Sequence, residues 1–371
     1  MLPKKKIIYI ISHVHKSLAF EWTAVALKKY YDITFILLNP QHTSLEGFLI
    51  ENEINVYRIN YRGKKDFVAA LVKTFRFLLK FKPEVVHAHL LDAQLIGLSS
   101  AWVAGIKKRV YTRHNSNFHH VYHRKGIFLD KVSNWLATAI VSISKATDIS
   151  LTQLEKVDPS KIKKIPHGFN LSVFDSVELI RVTTVRKKWS VPENAICIGV
   201  IARHIEWKGI QYIVPAFKKF LRSHPASCLI LANASGPYHE TIMELTNEIP
   251  RQNLILIPFE EDVAALYKLF DIYVHTPIDE ICEAFGQTYI EALACGVPSV
   301  FTLSGVASEF VVHLQNAWVA NYKDEESIFA GMKALTDSAQ LRTQLIENGK
   351  KSIARFEIKS MTEALQKMYD E

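Results

Sequence analysis

The chain has 371 residues, of which 49% are hydrophobic and 22% are charged, a composition that excludes an intrinsically disordered protein. The length predicts two domains, because a single core rarely keeps growing beyond about 300 residues. Residues 1–170 carry 26 Lys+Arg and 12 Asp+Glu, a surplus of +14, and the remainder carries −6, which gives the net charge of +8. A basic first half is typical of proteins that meet nucleic acid, an anionic membrane or an anionic substrate.

The first predicted element is a buried parallel strand. Lys4–Lys6 followed by Ile7–Ile11 resembles the start of a signal peptide, but the apolar run is too short and no cleavage site follows it. No run of about 18 apolar residues occurs, so we expect no transmembrane helix. The four cysteines lack metal-ligand spacing, and we expect them to be free thiols in a reducing cytoplasm.

Short apolar runs alternate with helical patterns along the whole chain, which is typical of doubly wound α/β domains with parallel sheets. The strands predicted in the first half are Ile7–Ser12, Ile33–Leu38, Val56–Ile59, Val85–His89, Arg109–Thr112, Ala139–Ser144 and Lys163–Ile165. Those predicted in the second half are Ile196–Ile201, Cys228–Ala232, Leu254–Ile257, Ile272–His275, Ser299–Phe301 and Ala317–Val319. Phe67–Phe81 is predicted as an amphipathic helix, and the last helix covers about Ile358–Tyr369.

The segment from Glu283 to Glu291 is the most informative in the chain. It sets two carboxylates eight positions apart around Phe285 and Gly286. If both carboxylates are helical, they lie on one helix face, about 12 Å apart. If Glu283 instead lies on the loop that enters the helix, the two carboxylates can hold an extended ligand from both ends. Gly286 then lies at the helix N-terminus, where free amides and the helix dipole favour a phosphate.

This pattern, Glu-x-Phe-Gly-x4-Glu, resembles the retaining, nucleotide-sugar-dependent glycosyltransferases of family 4, also called group 1. The resemblance implies two Rossmann-like doubly wound domains that face each other across a cleft, the GT-B architecture. Residues 1–170 would form the acceptor-binding domain, and residues 195–354 would form the donor-binding domain. Residues 171–194 are predicted as a linker, and a helix at about 355–371 would pack back onto the first domain.

The resemblance also implies the donor-binding residues. Glu283 would contact hydroxyls of the donor sugar, and Glu291 would hold both ribose hydroxyls. The amides near Phe285 and Gly286 would bind phosphate or sugar oxygens. The remaining donor-site residues follow strand ends, where α/β sheets bind ligands: Arg203 and Lys208 would neutralise the diphosphate without a metal, and the turn at Phe259 would hold the base.

The acceptor-side candidates are polar residues that follow strands of the first half. His114 matches the acceptor-site histidine of the family, and His89 ends the neighbouring strand. Neutral imidazole can donate to or accept from an acceptor hydroxyl. His13, His15 and Lys16 lie in the first loop, where many relatives carry Gly-Gly. Glu283, His114, Arg203 and Lys208 are the predicted catalytic residues.

We therefore expect a cytoplasmic hexosyltransferase that retains the anomeric configuration and needs no metal or other cofactor. Its expected partners are a nucleotide sugar and a saccharide or lipid-linked acceptor of cell-envelope synthesis. An anionic membrane is a further expected partner, because Phe67–Phe81 and His119–Lys131 mix aromatic and basic residues; a core-packed helix with a wet basic face explains the same pattern. Nucleic acid is not expected.

Two alternatives remain open at the level of the sequence. One is an epimerase or phosphorylase on the same fold, although a phosphorylase would need a buried lysine for pyridoxal phosphate, and no segment indicates one. The other is a non-catalytic basic module that binds membranes or polyanions. That module would leave the Glu-x-Phe-Gly-x4-Glu pattern and the strand-end histidines without a role.

Overall fold

The computed structural model describes residues 3–371, and the chain divides into two compact units. The first unit contains the chain up to Phe169 together with Phe356–Glu371, and the second contains Asn170–Arg355. Each unit is built on one parallel sheet with helices packed against it. The predicted α/β class with two Rossmann-like sheets is confirmed.

The first sheet has seven strands in the order β3-β2-β1-β4-β5-β6-β7. Its strands are β1 Lys6–Ser12, β2 Asp32–Leu38, β3 Asn55–Ile59, β4 Val85–His89, β5 Lys108–Arg113, β6 Ala139–Ser142 and β7 Ile162–Lys164. The helices of this unit are α1 Leu18–Lys28, α2 Ser44–Glu51, α3 Phe67–Phe81, α4 Leu91–Val103, α5 Phe118–Val121, α6 Gly126–Leu136, α7 Lys145–Ile149 and the last helix, α16 Ile358–Asp370.

The alternation of side chains along β1 separates the two faces of this sheet. Ile8 and Ile10 pack with buried residues of α3 and α4. Tyr9 points to the other face, where its hydroxyl lies 2.6 Å from that of Tyr369 on α16. Because both faces are covered, β1 is apolar almost throughout rather than alternating with polar residues.

One predicted strand is shorter in the structure than the sequence suggests. β6 ends at Ser142, and Ser144 is the N-cap of α7 rather than the end of a strand. The Ser144 hydroxyl accepts a hydrogen bond from the Thr147 amide, while the Thr147 hydroxyl accepts from the Ser144 amide. This reciprocal capping box satisfies two amide donors that the helix itself leaves open.

The second sheet has six strands in the order β10-β9-β8-β11-β12-β13. Its strands are β8 Ile196–Ile201, β9 Ser227–Ala232, β10 Leu254–Ile257, β11 Ile272–His275, β12 Ser299–Phe301 and β13 Trp318–Val319. Its helices are α8 Ser172–Asp175, α9 Leu179–Lys188, α10 Ile210–Ser223, α11 His239–Thr246, α12 Val263–Tyr267, α13 Gln287–Ala294, α14 Glu325–Asp337 and α15 Ala339–Ser352.

The segment 171–194, predicted as a linker, is instead a packed part of the second unit. Arg181 of α9 forms an ion pair with Asp262, whose Oδ1 lies 2.6 Å from NH2 of the guanidinium. The carboxylate of Glu260 accepts hydrogen bonds from Nζ of Lys188 at 2.8 Å and from Nε1 of Trp189 at 2.6 Å. The sequence did not indicate these contacts because Glu260 and Asp262 lie some 70 residues or more after the residues that they pair with.

Within residues 3–371, no helix is both long enough and apolar enough to cross a membrane.

Candidate active site

The loop between β11 and α13 carries the first of the two motif carboxylates. α13 begins at Gln287, so Glu283 lies on the loop and Glu291 lies within the helix. Of the two arrangements that the sequence left open, the structure has the one in which the carboxylates approach from different elements. Gly286 is the N-cap of α13.

An ion pair between a half-buried lysine and a buried carboxylate forms the centre of this region. Nζ of Lys208 donates a hydrogen bond to Oε1 of Glu283, and Nε2 of His275 lies 3.4 Å from the same oxygen. The Glu283 amide donates to Oγ of Ser304 at 3.3 Å. The structure therefore brings together two residues predicted from the sequence, Lys208 and Glu283, and adds His275, which the prediction missed.

The charges around Glu283 hold it in its ionised form. Burial by itself raises the pKa of this carboxyl, but the Lys208 ammonium and the His275 ring outweigh that effect and bring the pKa to about 2. Burial lowers the pKa of His275, against the opposing effect of the Glu283 carboxylate. A carboxylate held ionised in a buried position is a strong hydrogen-bond acceptor for hydroxyl groups.

Two glycines allow the loops around this ion pair to approach closely. Gly209, which follows Lys208, has a φ of +75°, and a Cβ atom there would lie 1.8 Å from the backbone oxygen of Thr276. Gly305 has a φ of +58°, and a Cβ atom there would lie 2.6 Å from the backbone oxygen of Phe285. Any side chain at Gly209 would push the Lys208 turn away from the loop that carries Glu283.

The second motif carboxylate, Glu291, accepts a hydrogen bond from the Tyr267 hydroxyl at 3.0 Å. Burial raises the pKa of Glu291 to about 7, and the hydrogen bond from Tyr267 offsets this effect only in part. The two glutamates thus differ at neutral pH: Glu283 is ionised, whereas Glu291 is poised between its two forms.

The other predicted donor-side residues border the same end of the sheet. Arg203 follows β8, is exposed and forms no ion pair within residues 3–371. Phe259 follows β10 and is 58% exposed, so its ring is available to a ligand. Phe285 is buried, and its backbone oxygen accepts a hydrogen bond from the Val306 amide at 2.9 Å. The carboxyl ends of parallel strands are where α/β sheets place their ligand sites.

In the first unit, the structure joins two of the predicted acceptor-side histidines. Nδ1 of His89 lies 3.0 Å from Nε2 of His114, and the ring of His114 stacks on that of His167 with 5.5 Å between centroids. His87 stacks on His89 and contacts the Tyr369 hydroxyl through Nδ1 at 2.5 Å. We call His87, His89, His114 and His167 the histidine group. Within residues 3–371, no set of three His, Cys, Asp or Glu side chains is placed to hold a metal ion.

The residues of the first loop have other neighbours. Nε2 of His13 lies 3.2 Å from Oδ2 of Asp92, which also accepts a hydrogen bond from the Tyr61 hydroxyl at 2.9 Å. His15 and Lys16 are exposed. Of the five acceptor-side residues predicted from the sequence, only His89 and His114 contact one another.

A buried ionic network lies directly behind His114. The Arg113 guanidinium is fully buried and forms ion pairs with Asp130, at 2.8 Å, and with Glu155. Nε of Arg113 also donates to the backbone oxygen of Asn115 at 2.9 Å, and Nδ1 of His119 lies 2.6 Å from Oδ2 of Asp130. The network fixes the backbone on both sides of His114, a role that strand periodicity could not have shown.

The histidine group predicts acid-sensitive stability. Burial lowers the pKa of His87 to about 3 and that of His167 to about 4, and it holds those of His89 and His114 well below their usual range. In the unfolded chain each histidine titrates near pH 6.5. The stabilisation by neutral histidines is therefore complete above about pH 6.5 and decreases as the pH falls below it, with a slope of roughly 1.4 kcal/mol per pH unit for each additional proton that the unfolded chain binds.

Urea unfolding of the full chain at about pH 7 and about pH 5 tests this expectation. His167→Gln should flatten the pH dependence of the unfolding free energy relative to the wild type. His15→Gln, which changes an exposed histidine, is the matched control and should leave it unchanged. Equal slopes in the wild type and the His167 variant would contradict the assignment.

Comparison with known proteins identifies the family of this chain. The family model "Glycosyl transferases group 1" matches residues 182–352, and the model "Glycosyltransferase Family 4" matches residues 23–173. The capsular polysaccharide biosynthesis glycosyltransferase CapM of Staphylococcus aureus is 23% identical over 81% of this chain and 80% of its own length. The UDP-Gal:α-D-GlcNAc-diphosphoundecaprenol α-1,3-galactosyltransferase of Escherichia coli is 22% identical over 81% of this chain and 78% of its own length.

Among solved structures, Anabaena HepE in complex with UDP and glucose superposes with a TM-score of 0.85 and 18% identity, covering 99% of both chains. The same protein has also been solved with UDP-glucose, and that structure has a TM-score of 0.83. These likenesses show the fold. Taken together with the two family models, which between them match most of the sequence, they show that this chain belongs to the family 4, group 1 glycosyltransferases of GT-B fold.

Proposed function

We propose that this protein transfers a hexose from a uridine diphosphate sugar to a saccharide or lipid-linked acceptor, with retention of the anomeric configuration and without a metal. The observation that supports the proposal is the ion pair between Lys208 and Glu283, the buried first carboxylate of the Glu-x-Phe-Gly-x4-Glu segment. The choice of uridine rests on HepE, which has been solved with UDP and with UDP-glucose.

The donor side of the proposal assigns one ligand group to each charged residue. Glu283, held ionised by Lys208 and His275, accepts hydrogen bonds from sugar hydroxyls. Glu291 accepts from the two ribose hydroxyls, and Arg203, which has no ion-pair partner within residues 3–371, neutralises the diphosphate together with Lys208. The free amides at the start of α13 add donors for phosphate or sugar oxygens.

In the proposed step the bond between the anomeric carbon and the diphosphate oxygen breaks as the acceptor hydroxyl attacks from the same face. The leaving phosphate takes the proton of that hydroxyl, so the protein supplies no nucleophile. Arg203 and Lys208 stabilise the charge that develops on the leaving diphosphate, and such preorganised electrostatic stabilisation is often the largest contribution to catalysis.

The acceptor side of the proposal rests on the first unit. His114 is neutral near pH 7 because burial lowers its pKa, so its ring can exchange a hydrogen bond with an acceptor hydroxyl. The surplus of +14 over residues 1–170 favours an anionic acceptor or an anionic membrane. The proposed role is in cell-envelope polysaccharide or glycolipid synthesis, because the names of CapM and the E. coli galactosyltransferase assign those proteins to capsular polysaccharide and lipid-linked glycan synthesis. The proposed location is the cytoplasm, with part of the enzyme bound to the inner face of the membrane.

Single substitutions test the donor assignments. Arg203→Ala and Glu291→Ala should each weaken UDP-glucose binding, and Glu283→Ala should mainly lower the turnover number and the selectivity between donor sugars. Each lost charge-assisted hydrogen bond is worth about 1.5–3 kcal/mol, or roughly ten- to a hundredfold. Isothermal titration and steady-state kinetics measure the two effects.

The matched controls are Arg222→Ala on α10 and Glu244→Ala on α11, which remove an exposed charge of the same sign in the same unit. They should leave affinity and turnover unchanged. Donor affinity and turnover near the wild-type values in all three site variants would contradict the assignment of these residues to the donor site.

The raised pKa of Glu291 predicts that donor affinity depends on pH. With a pKa of about 7 in the free protein, the carboxylate that the ribose diol needs is fully formed only above that pH. UDP-glucose affinity should therefore fall as the pH drops below about 7, by up to roughly tenfold per pH unit. The esterified diphosphate of UDP-glucose does not titrate in this range. Glu291→Gln should bind weakly at every pH; a pH dependence that persists in this variant would point to another group.

The stereochemistry of the product tests the reaction class. NMR of the product formed with a chelator present should show the anomeric configuration of the donor. An inverted product, or activity that the chelator abolishes, would contradict retention without a metal. The same spectra separate transfer from epimerisation, because an epimerase would return a changed nucleotide sugar and no glycosylated acceptor.

A further inference from the structure

A basic pocket lies on the first unit between the second half of α3, the edge strand β3 and the first residue of β1. Its volume is about 570 Å³, within the range of small-ligand sites. It is lined by Lys6, Tyr57, Lys73, Arg76, Phe77, Lys80 and Phe81. Nothing in the proposed donor or acceptor site uses these residues.

The four cations of the pocket are not neutralised by the protein. Within residues 3–371, the side chains of Lys6, Lys73, Arg76 and Lys80 form no ion pair, and α3 contains no acidic residue. The acid found beside the pocket, Glu84, accepts a hydrogen bond from the backbone amide of Lys6 at 3.1 Å rather than from its ammonium. Lys73, Arg76 and Lys80 recur at spacings of three and four, so they lie along one face of the helix.

The wall of the pocket is aromatic. The rings of Tyr57 and Phe77 stack with 4.8 Å between centroids, and Phe77 stacks on Phe81 at 5.7 Å. Nζ of Lys6 lies 5.1 Å from the centroid of the Phe81 ring. A ligand that fits here carries a negative charge and also an apolar or flat body that can lie against the rings.

The pocket is separate from the histidine group of the same unit. Lys6 opens β1, whereas His13 follows its last residue, and His89 ends the parallel neighbour β4. Because the strands are parallel, the pocket lies at the amino edge of the sheet and the histidines lie at the carboxyl edge. A ligand in the pocket therefore does not occupy the acceptor position.

We propose that this pocket binds a phosphate-bearing anion, with the phosphate held by Lys73, Arg76, Lys80 and Lys6 and the rest of the ligand against Tyr57 and Phe77. Arginine and lysine together offer a planar fork and point charges to phosphate oxygens. A phospholipid headgroup and a soluble phosphate ester present this same chemistry. The exposed Val68 and Leu79, at 72% and 47%, lie on the same helix and would meet the acyl region if the ligand is a headgroup.

The test compares two probes on the full chain. Inorganic pyrophosphate is titrated calorimetrically, and sedimentation measures binding to phosphatidylglycerol vesicles and to phosphatidylcholine vesicles at low salt. The variant Lys73→Gln/Arg76→Gln/Lys80→Gln should lower the affinity for the bound probe by roughly a hundredfold, since each cation near an anionic surface contributes about fivefold. Tyr57→Ser, which keeps every charge and changes an exposed residue, should weaken binding as well.

The matched control is Lys29→Gln/Lys107→Gln/Lys156→Gln, which removes three exposed cations of the same unit that lie outside Phe67–Phe81 and His119–Lys131. This control should retain most of the affinity. An equal loss in both triple variants would show diffuse attraction by net charge and overturn the pocket. Failure of the wild type to bind either probe at low salt would overturn it too.

The outcomes also identify the source of the phosphate. Binding to phosphatidylglycerol vesicles with weak pyrophosphate binding assigns the pocket to a lipid headgroup, and tight pyrophosphate binding without vesicle binding assigns it to a soluble ester. UDP-glucose affinity should be the same in the pocket variant and in the wild type. A chain that binds pyrophosphate in this pocket but binds no nucleotide sugar would refute the proposed function and leave the pocket standing.

Discussion

The geometry of the second unit depends on keeping a carboxylate ionised where little water reaches it. Glu283 is only 8% exposed, and a charge in such a position costs several kcal/mol unless it is paired. Lys208 and His275 provide that compensation from two other elements, the turn after β8 and the end of β11. The loop, the turn and the strand must therefore lie close together. Gly209 lets the turn approach the backbone oxygen of Thr276, and Gly305 lets the segment after β12 approach the backbone oxygen of Phe285.

The first unit solves a different electrostatic problem. Burial lowers the pKa values of its histidine group, so these rings are neutral near pH 7 and their burial does not incur the cost of desolvating a charge. The charged side chains near the histidine group are Arg113, Asp130 and Glu155, which are fully buried, and Arg113 forms ion pairs with both acids. Such a network contributes little net stability on average, but breaking one member leaves a buried charge without a partner. The backbone around His114 is held in place by that penalty.

Features written in contiguous residues were predictable from the sequence. The strands are apolar runs bounded by polar turns, and all of the predicted ones exist within a few residues of their expected limits. The Glu283–Glu291 segment identified the loop and helix that hold the two carboxylates. Lys208 could be placed beside them only through the resemblance to a known family.

Contacts between distant residues were not predictable. His275 could have been noticed as a polar residue at the end of a buried strand, but nothing in the sequence ties it to Glu283 eight residues later rather than to another loop. Arg113 ends β5 and pairs with Glu155, 42 residues downstream, and hydrophobic periodicity does not indicate such a pairing. The packing of 171–194 was missed because a polar helix that is held by ion pairs looks like a linker.

The position of α16 has a consequence for the order in which the protein is made. Tyr369 contributes to the interior of the first unit, where it meets Tyr9 and His87, yet it leaves the ribosome after the whole of the second unit. During synthesis the contacts that Tyr9 and His87 make with α16 are therefore still missing while the second unit folds. Domains generally fold as units from the N-terminus as they emerge, and uncovered apolar surface at that stage is prone to aggregation. Residues 358–370 complete those contacts, so the interior of the first unit is finished only after the second unit has been synthesised.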